Sequence, residues 1–199
     1  DNSNLIIIEK KNEVYITVDC DSGVQREISE FFTFYVPGYK FMPAFRNRMW
    51  DGKIRLFSQK TKEIYFGLYP YIKAFAEERG YNIVAGKDVE IDNKVDKETV
   101  TKFSNSLGQK FEARDYQIDA IYHSLKRNRA LLVSPTASGK SFIIYSLIRY
   151  YSHLIKDDDN NRTLLIVPTT SLVEQMYTDF ESYGWNVKKY CHRLYSGYS

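Results

Sequence analysis

The sequence predicts an α/β protein: a small α+β N-terminal domain, then part of a P-loop domain built on a parallel sheet. Three observations carry that expectation. The apolar run Ala130-Leu131-Leu132-Val133 leads into Ser134-Pro135-Thr136-Ala137-Ser138-Gly139-Lys140-Ser141 and then into an apolar stretch at 142–154. Strand, small-residue loop, Gly-Lys-Ser and helix is the order of a phosphate-binding loop. Beyond Arg114, helical and strand-like patterns alternate, which implies parallel strands with right-handed crossovers. Before residue 85, short strands are instead mixed with two helices.

Taken in order, residues 5–8 and 14–18 read as strands around a polar turn. Asp21 or Ser22 caps a helix to about Phe31, with Val24, Ile28, Phe31 and Phe32 at helical spacing. Residues 33–36 are strand-like and end at Pro37-Gly38, a turn signal. Lys53-Ile54-Arg55-Leu56-Phe57 alternates polar and apolar as a half-buried strand does. Its Lys53 and Arg55 should share a solvent-facing side while Ile54 and Leu56 pack inward. Phe41, Phe45 and Leu56 are expected in the core. A short strand at 65–66, a helix at 68–79 closed by Gly80, and a strand at 81–84 complete the module.

Residues 85–97 are charged and weakly apolar, as a linker is, and 96–107 can form a helix leading into the next unit, so the domain boundary falls near 85–108, with domains written as 1–107 and 108–199. In the second part, 116–125 is an amphipathic helix with Ile118, Ile121, Tyr122 and Leu125 on one stripe. The Asp157-Asp158-Asp159 cluster reads as a solvated turn rather than a metal site. Beyond it come a strand at 163–167, a helix at 171–183 burying Leu172, Met176, Phe180 and Tyr183, and a strand at 187–194.

Composition fits a water-soluble globular chain, at 43% hydrophobic and 27% charged residues. No apolar run approaches membrane-spanning length, so no membrane partner is expected. Two cysteines far apart, Cys20 and Cys191, read as free thiols of a reducing, cytoplasmic compartment. The net charge of +3 says little, but its distribution says more. Between residues 38 and 62 there are seven basic residues and one acidic, Asp51. Arg46, Arg48, Lys53 and Arg55, interleaved with Phe41, Phe45 and Trp50, suit a nucleic-acid surface. An ordinary basic strand with core aromatics is the alternative.

The chemistry centres on the loop. A loop that closes onto a helix N-terminus aims unpaired N–H groups and the helix dipole at an anion. Thr136, Ala137, Ser138 and Gly139 would wrap the phosphates of ATP. Lys140 supplies charge to the β- and γ-phosphates, and the Ser141 hydroxyl is placed to ligate Mg²⁺. Upstream, the Gln117 amide can pair with the N6/N7 edge of adenine while Tyr116 stacks on the base. An exposed Gln beside a core Tyr would look the same. Downstream, Val167-Pro168-Thr169-Thr170-Ser171-Leu172 sits at a strand end and helix start, where Thr169 and Thr170 can hold a backbone phosphate. The same turn also serves as a helix cap, with Thr170 as N-cap.

In this order these motifs resemble the first RecA-like domain of superfamily-2 helicases. Arg114-Asp115-Tyr116-Gln117 resembles their adenine-reading motif, residues 134–141 their motif I, and Val167-Pro168-Thr169-Thr170-Ser171-Leu172-Val173-Glu174-Gln175 their strand-contacting motif Ia. Leu194-Tyr195-Ser196-Gly197 is similar to the strand and turn next in that domain. Gly38-Tyr39-Lys40-Phe41, Pro43-Ala44-Phe45-Arg46 and Trp50-Asp51-Gly52-Lys53-Ile54-Arg55-Leu56 resemble the small N-terminal domain of the UvsW-type members found in T-even-like phages.

The resemblance implies an ATP- and Mg²⁺-dependent DNA helicase or translocase. Its substrates would be branched or duplex DNA, with a single strand in the motor groove. The family's Asp-Glu-x-His motif and second RecA-like domain do not occur between residues 1 and 199. The chain also opens without Met, so it reads as an excerpt that would bind ATP but hydrolyse little alone. A restriction-type motor subunit, a small-molecule kinase and a non-catalytic ATP- or DNA-binding module remain alternatives.

Overall fold

The structure, a computed structural model, describes residues 4–90, 93–135, 138–154 and 162–197. Its contacts divide the chain into two compact units, 1–91 and 92–199.

In the first unit, strands β1 (Leu5–Lys10) and β2 (Tyr15–Asp19) pair antiparallel, with Ile8 opposite Val18. Alternation puts Ile6, Ile8, Ile16 and Val18 on one buried face. The turn between them is held by Asn12, whose Oδ1 accepts from the N–H groups of Val14 and Tyr15, both at 2.8 Å. Helix α1 (Ser22–Phe31) is capped by Asp21, whose carboxylate accepts from the Gly23 N–H.

An insertion then runs through β3 (Thr33–Tyr35), a 3₁₀ turn (Tyr39–Phe41), helix α2 (Pro43–Arg46) and β4 (Lys53–Arg55). The chain returns through β5 (Glu63–Tyr65) and α3 (Tyr69–Arg79), which Gly80 ends in the left-handed conformation. It finishes in β6 (Asn82–Ala85), parallel to β1. The sheet order is β5-β2-β1-β6. Val24 and Ile28 of α1 and Ile72, Phe75 and Ala76 of α3 join the inward side chains of β1, β2 and β5 in one core. Removing that apolar surface from water is the main force holding the unit together.

β3 and β4 form a separate two-stranded ribbon with Phe34 opposite Ile54 and Tyr35 opposite Lys53. Ile54 does not pack inward as expected; it and Phe34 are both exposed, because a two-stranded ribbon has no further layer to cover its second face. Leu56 does pack against the core, and Phe45 is half-buried. Phe41 overturns its expectation outright, at 84% exposed, since the 3₁₀ turn that carries it packs inward through Tyr39 and leaves the Phe41 ring outside.

The insertion is organised by Tyr39, whose ring stacks on Tyr35 at 4.6 Å between centroids and meets Phe45 edge-on at 4.8 Å. The Tyr39 ring lies directly against Gly52, which has a φ of +79°. α2 closes with a Schellman pair of bonds, Arg48 N–H to the Phe45 carbonyl and Met49 N–H to the Ala44 carbonyl. The left-handed position of that motif is usually glycine and here is Arg48, at a φ of +58°.

In the second unit, α4 (Lys97–Asn105), α5 (Asp115–Arg127), α6 (Lys140–Leu154), α7 (Thr170–Ser182) and α8 (Val187–Tyr190) pack as helices. Within the boundary region expected at 85–108, α4 groups with the second unit: its Val100 is buried with Ile118, Ile121 and Leu125 of α5 and Ile143 of α6. α6 also supplies Phe142 and Tyr145 to a second cluster with Leu107, Phe180 and Val187.

The strands expected at 130–133 and 163–167 are not formed among the described residues, and 187–190, expected in a strand, is helical. Val133 is 91% and Ile166 is 81% exposed, whereas Leu132 and Leu165 beside them are better covered. That alternation belongs to a strand covered on one face only. A strand persists only with a ladder partner, and parallel strands need cover on both faces. The apolar composition that suggests buried strands is present, but the partner is not among the described residues.

No helix among the described residues is long and apolar enough to cross a membrane. Both cysteines are free thiols, and burial, aided by Asp19 and Asp21, pushes the Cys20 thiol up to about 11.

Gly52→Ala should unfold the insertion: a Cβ there would overlap the Tyr39 ring at a backbone angle side chains disfavour. A loss of roughly 1–3 kcal/mol is expected, read from chemical denaturation of the wild-type and altered chains.

Candidate functional site

Two groups of residues stand out, one in each unit. In the second unit the phosphate-binding loop meets the start of α6. Gly139 has a φ of +74° and Lys140 opens the helix, so the first N–H groups of α6 come directly after a left-handed turn. Thr136 and Ala137, expected to line the phosphates, lie outside the described residues. Ser134 and Ser138 are hydrogen-bonded through their hydroxyls across that part of the loop.

The N-terminus of α5 lies against this loop. The Tyr116 hydroxyl donates to the Ser138 carbonyl at 2.8 Å, and Arg114 donates to the Tyr116 hydroxyl at 3.1 Å. The Gln117 side chain is only 5% exposed. Its Oε1 accepts from the Arg114 N–H at 2.9 Å, and its Nε2 faces the Ser138 and Gly139 carbonyls, each at 3.4 Å. A Cβ on Gly139 would overlap that Nε2 and displace the Gln117 amide from these carbonyls, while the positive φ itself favours glycine. Both ends of the Gln117 amide are thus engaged within the protein, and adenine reading by Gln117 would compete with these bonds. The Tyr116 ring remains 43% exposed and open to a stacking base.

One contact was not foreseeable from sequence. The Ser141 hydroxyl pairs with the hydroxyl of Tyr183, the residue that closes α7, at 2.8 Å. Burial pushes the Tyr183 phenol up, partly offset by that bond. No spacing rule links positions so far apart. At the start of α7 the N-cap is Thr169 rather than the expected Thr170: its hydroxyl accepts from the Leu172 N–H at 3.3 Å. Thr170 begins the helix proper and is exposed.

A glycine turn, a lysine at a helix start and an adjacent hydroxyl together fit a nucleotide phosphate with its magnesium ion. Among the described residues no cluster of His, Cys, Asp and Glu could hold a metal ion by itself.

In the first unit the basic residues divide by partner. Arg55 is ion-paired with Asp51, whose carboxyl is held down to about 2 by the Arg55 guanidinium and then by the Lys53 N–H. Lys62 pairs with Asp19 at 2.6 Å, and the Lys53 ammonium lies over the Tyr35 ring at 4.9 Å. The Arg46 and Arg48 side chains make no ion pair or hydrogen bond among the described residues.

Comparison with known proteins finds a separate match for each part of the chain. Residues 6–86 match the family "DNA helicase UvsW, N-terminal", and residues 110–198 match "Type III restriction enzyme, res subunit". The ATP-dependent DNA helicase uvsW of Enterobacteria phage T4 is 36% identical over 174 residues, covering 85% of this chain. The chain belongs to the UvsW-like superfamily-2 helicases. It spans 34% of the length of that curated relative.

The solved UvsW helicase from bacteriophage T4 superposes with a TM-score of 0.76 at 31% identity, covering 90% of this chain and 64% of that one. A second T4 UvsW crystal structure gives 0.77 at 32% identity, covering 90% and 36%. The UvsW-like chain is therefore mixed α/β, with a small N-terminal sheet domain followed by a partial res-subunit domain whose described part is helical.

Removing the amide that ties α5 to the loop has a direct cost. Gln117→Ala should lower unfolding free energy by about 1–2 kcal/mol, measured by denaturant titration without nucleotide, and an unchanged midpoint would show the amide to be idle.

Proposed function

We propose that this UvsW-like chain serves an ATP-dependent DNA helicase or translocase that acts on branched or duplex DNA in recombination, replication or repair. The observation that carries the reading is the pairing in one chain of a phosphate-binding loop at the start of α6 with a basic insertion in a UvsW-type N-terminal domain. The T4 relative's description as an ATP-dependent DNA helicase supports it.

Each residue has a distinct task in this reading. Lys140 meets the β- and γ-phosphates of ATP at the positive end of α6. Magnesium bound with the nucleotide would supply neutralisation of phosphate charge. Ser141 would ligate it by giving up its bond to Tyr183. Ser138 and Gly139, with Thr136 and Ala137, wrap the phosphates, while Tyr116 flanks the base and Gln117 reads its edge. Thr170, at the start of α7, and Thr169 hold a strand phosphate in the motor groove. Arg46, Arg48, Lys53 and Arg55 hold phosphates of the DNA entering the N-terminal unit, Arg55 least strongly because Asp51 already satisfies it.

A restriction-type translocating motor is the second reading, favoured by the match over residues 110–198. Such a motor would lose no DNA affinity when the basic insertion is altered.

Lys140→Ala should weaken Mg·ATP binding by about tenfold or more, measured by calorimetry, with circular dichroism unchanged. Equal affinity would remove Lys140 from the phosphate site. Arg46→Glu combined with Lys53→Glu should weaken binding to every DNA, duplex included, and flatten the dependence of log affinity on log salt by roughly two. Fluorescence anisotropy over a salt series reads this, and an unchanged slope would assign the insertion no DNA phosphates.

A further inference from the structure

The insertion holds an open cavity of about 560 Å³ lined by the cations Lys40, Arg46 and Arg48 and by the apolar side chains of Phe45, Met49 and Trp50. That volume lies within the ~300–1,000 Å³ of small-ligand sites. The fourth charged group at its edge, Asp51, is already paired with Arg55, so the cavity is positive with little to offset it.

Phosphate contacts alone need only cations. This site also presents apolar surface to water. Met49 is 75% exposed, and Phe41, next in sequence to the lining residue Lys40, is exposed as well. The Trp50 ring is half-buried and fixed, because its Nε1–H donates to the Lys53 carbonyl at 2.9 Å. A fixed indole beside a flexible thioether, with an exposed phenyl ring one residue along the chain from the lining Lys40, offers surface for a flat π-system and not only for a sugar–phosphate backbone.

Arg48 adds a separate indication. It occupies the left-handed position of the α2 cap, where glycine is the usual residue, and its guanidinium has no partner among the described residues. A position that disfavours a side chain holds a charged one at the rim of a positive cavity.

We propose that this cavity receives one unpaired nucleotide of a DNA strand. Its base packs on Met49 and Trp50, its flanking phosphates lie on Arg46 and Arg48, and Phe41 stacks on a neighbouring unpaired base. The N-terminal unit would therefore recognise the point where a duplex opens rather than the duplex itself. This inference rests on the reading of the insertion as a DNA surface, and it names the structural class of DNA that the surface takes.

The test compares a forked DNA carrying 2-aminopurine at the junction with a blunt duplex of the same paired sequence, both titrated with the full chain. The combined Phe41→Ala and Met49→Ala variant should bind the fork about tenfold more weakly, leave blunt-duplex affinity unchanged, and abolish the change in 2-aminopurine emission. Arg48→Gly should also weaken fork binding while the melting temperature holds or rises, because glycine suits the left-handed position.

Equal losses on fork and duplex, no loss on either, or an Arg48→Gly variant with full fork affinity would each overturn the proposal. Competition between anionic phosphatidylserine vesicles and DNA that depends on Phe41 would reassign the apolar tip to a membrane surface and overturn it too. Failure of the underlying DNA reading shows differently: the Arg46→Glu and Lys53→Glu chain would then bind both DNAs like wild type.

Discussion

The second unit depends on the contact of the Gln117 amide with the backbone at Ser138 and Gly139. That contact holds the N-terminal ends of α5 and α6 together. With the ends fixed, Ile118, Ile121 and Leu125 fall against Ile143, and α4 adds Val100 to the same cluster. The opposite side of α6 meets Leu107, Phe180 and Val187. The Gln117 side chain thus lies against Ser138 and Gly139 in the space that a Cβ at position 139 would take. Tyr183 extends the arrangement by holding Ser141 from α7.

The first unit separates stability from contact with the outside. The four-stranded sheet, α1 and α3 enclose nearly all its buried apolar side chains. The insertion of β3, the 3₁₀ turn, α2 and β4 contributes little to that core and carries the charge excess instead. Tyr39, wedged against Gly52 and between Tyr35 and Phe45, gives the insertion an aromatic centre of its own. It can therefore present exposed side chains without depending on the main core for its shape.

Most elements of both units were legible in the sequence because each had a repeating pattern and a marked end: alternation in β1 and β2, Asp21 before α1, Gly80 after α3, the stripe of α5. The 3₁₀ turn and α2 were not legible, since elements of three and four residues show no periodicity. Phe41 is not in the core as its identity suggests, because apolar character alone cannot say whether any element covers it. The strands at 130–133 and 163–167 were inferred from composition, whereas a strand exists only through its partners. At 187–190 a local signal was available: Asn186 caps that short helix, its Oδ1 accepting from the Lys189 N–H at 3.3 Å. In the phosphate-binding loop, the motif marked Gly139, Lys140 and Ser141, but not that Gln117 faces the loop or that Tyr183 faces Ser141, because contacts between distant positions leave no trace in spacing.

The parallel pairing of β1 with β6 sets the first strand of the unit beside its last, Leu5 opposite Asn82. On a ribosome, β1 and β2 can pair early, yet β1 keeps one open edge until residue 85 has emerged. The closing step joins two segments separated by nearly the whole unit, which raises contact order and places much of the unit's folding barrier after its last strand has emerged. Until then the open edge of β1, with Ile7 on the uncovered face, is the surface on which nascent chains can pair with one another instead of with themselves.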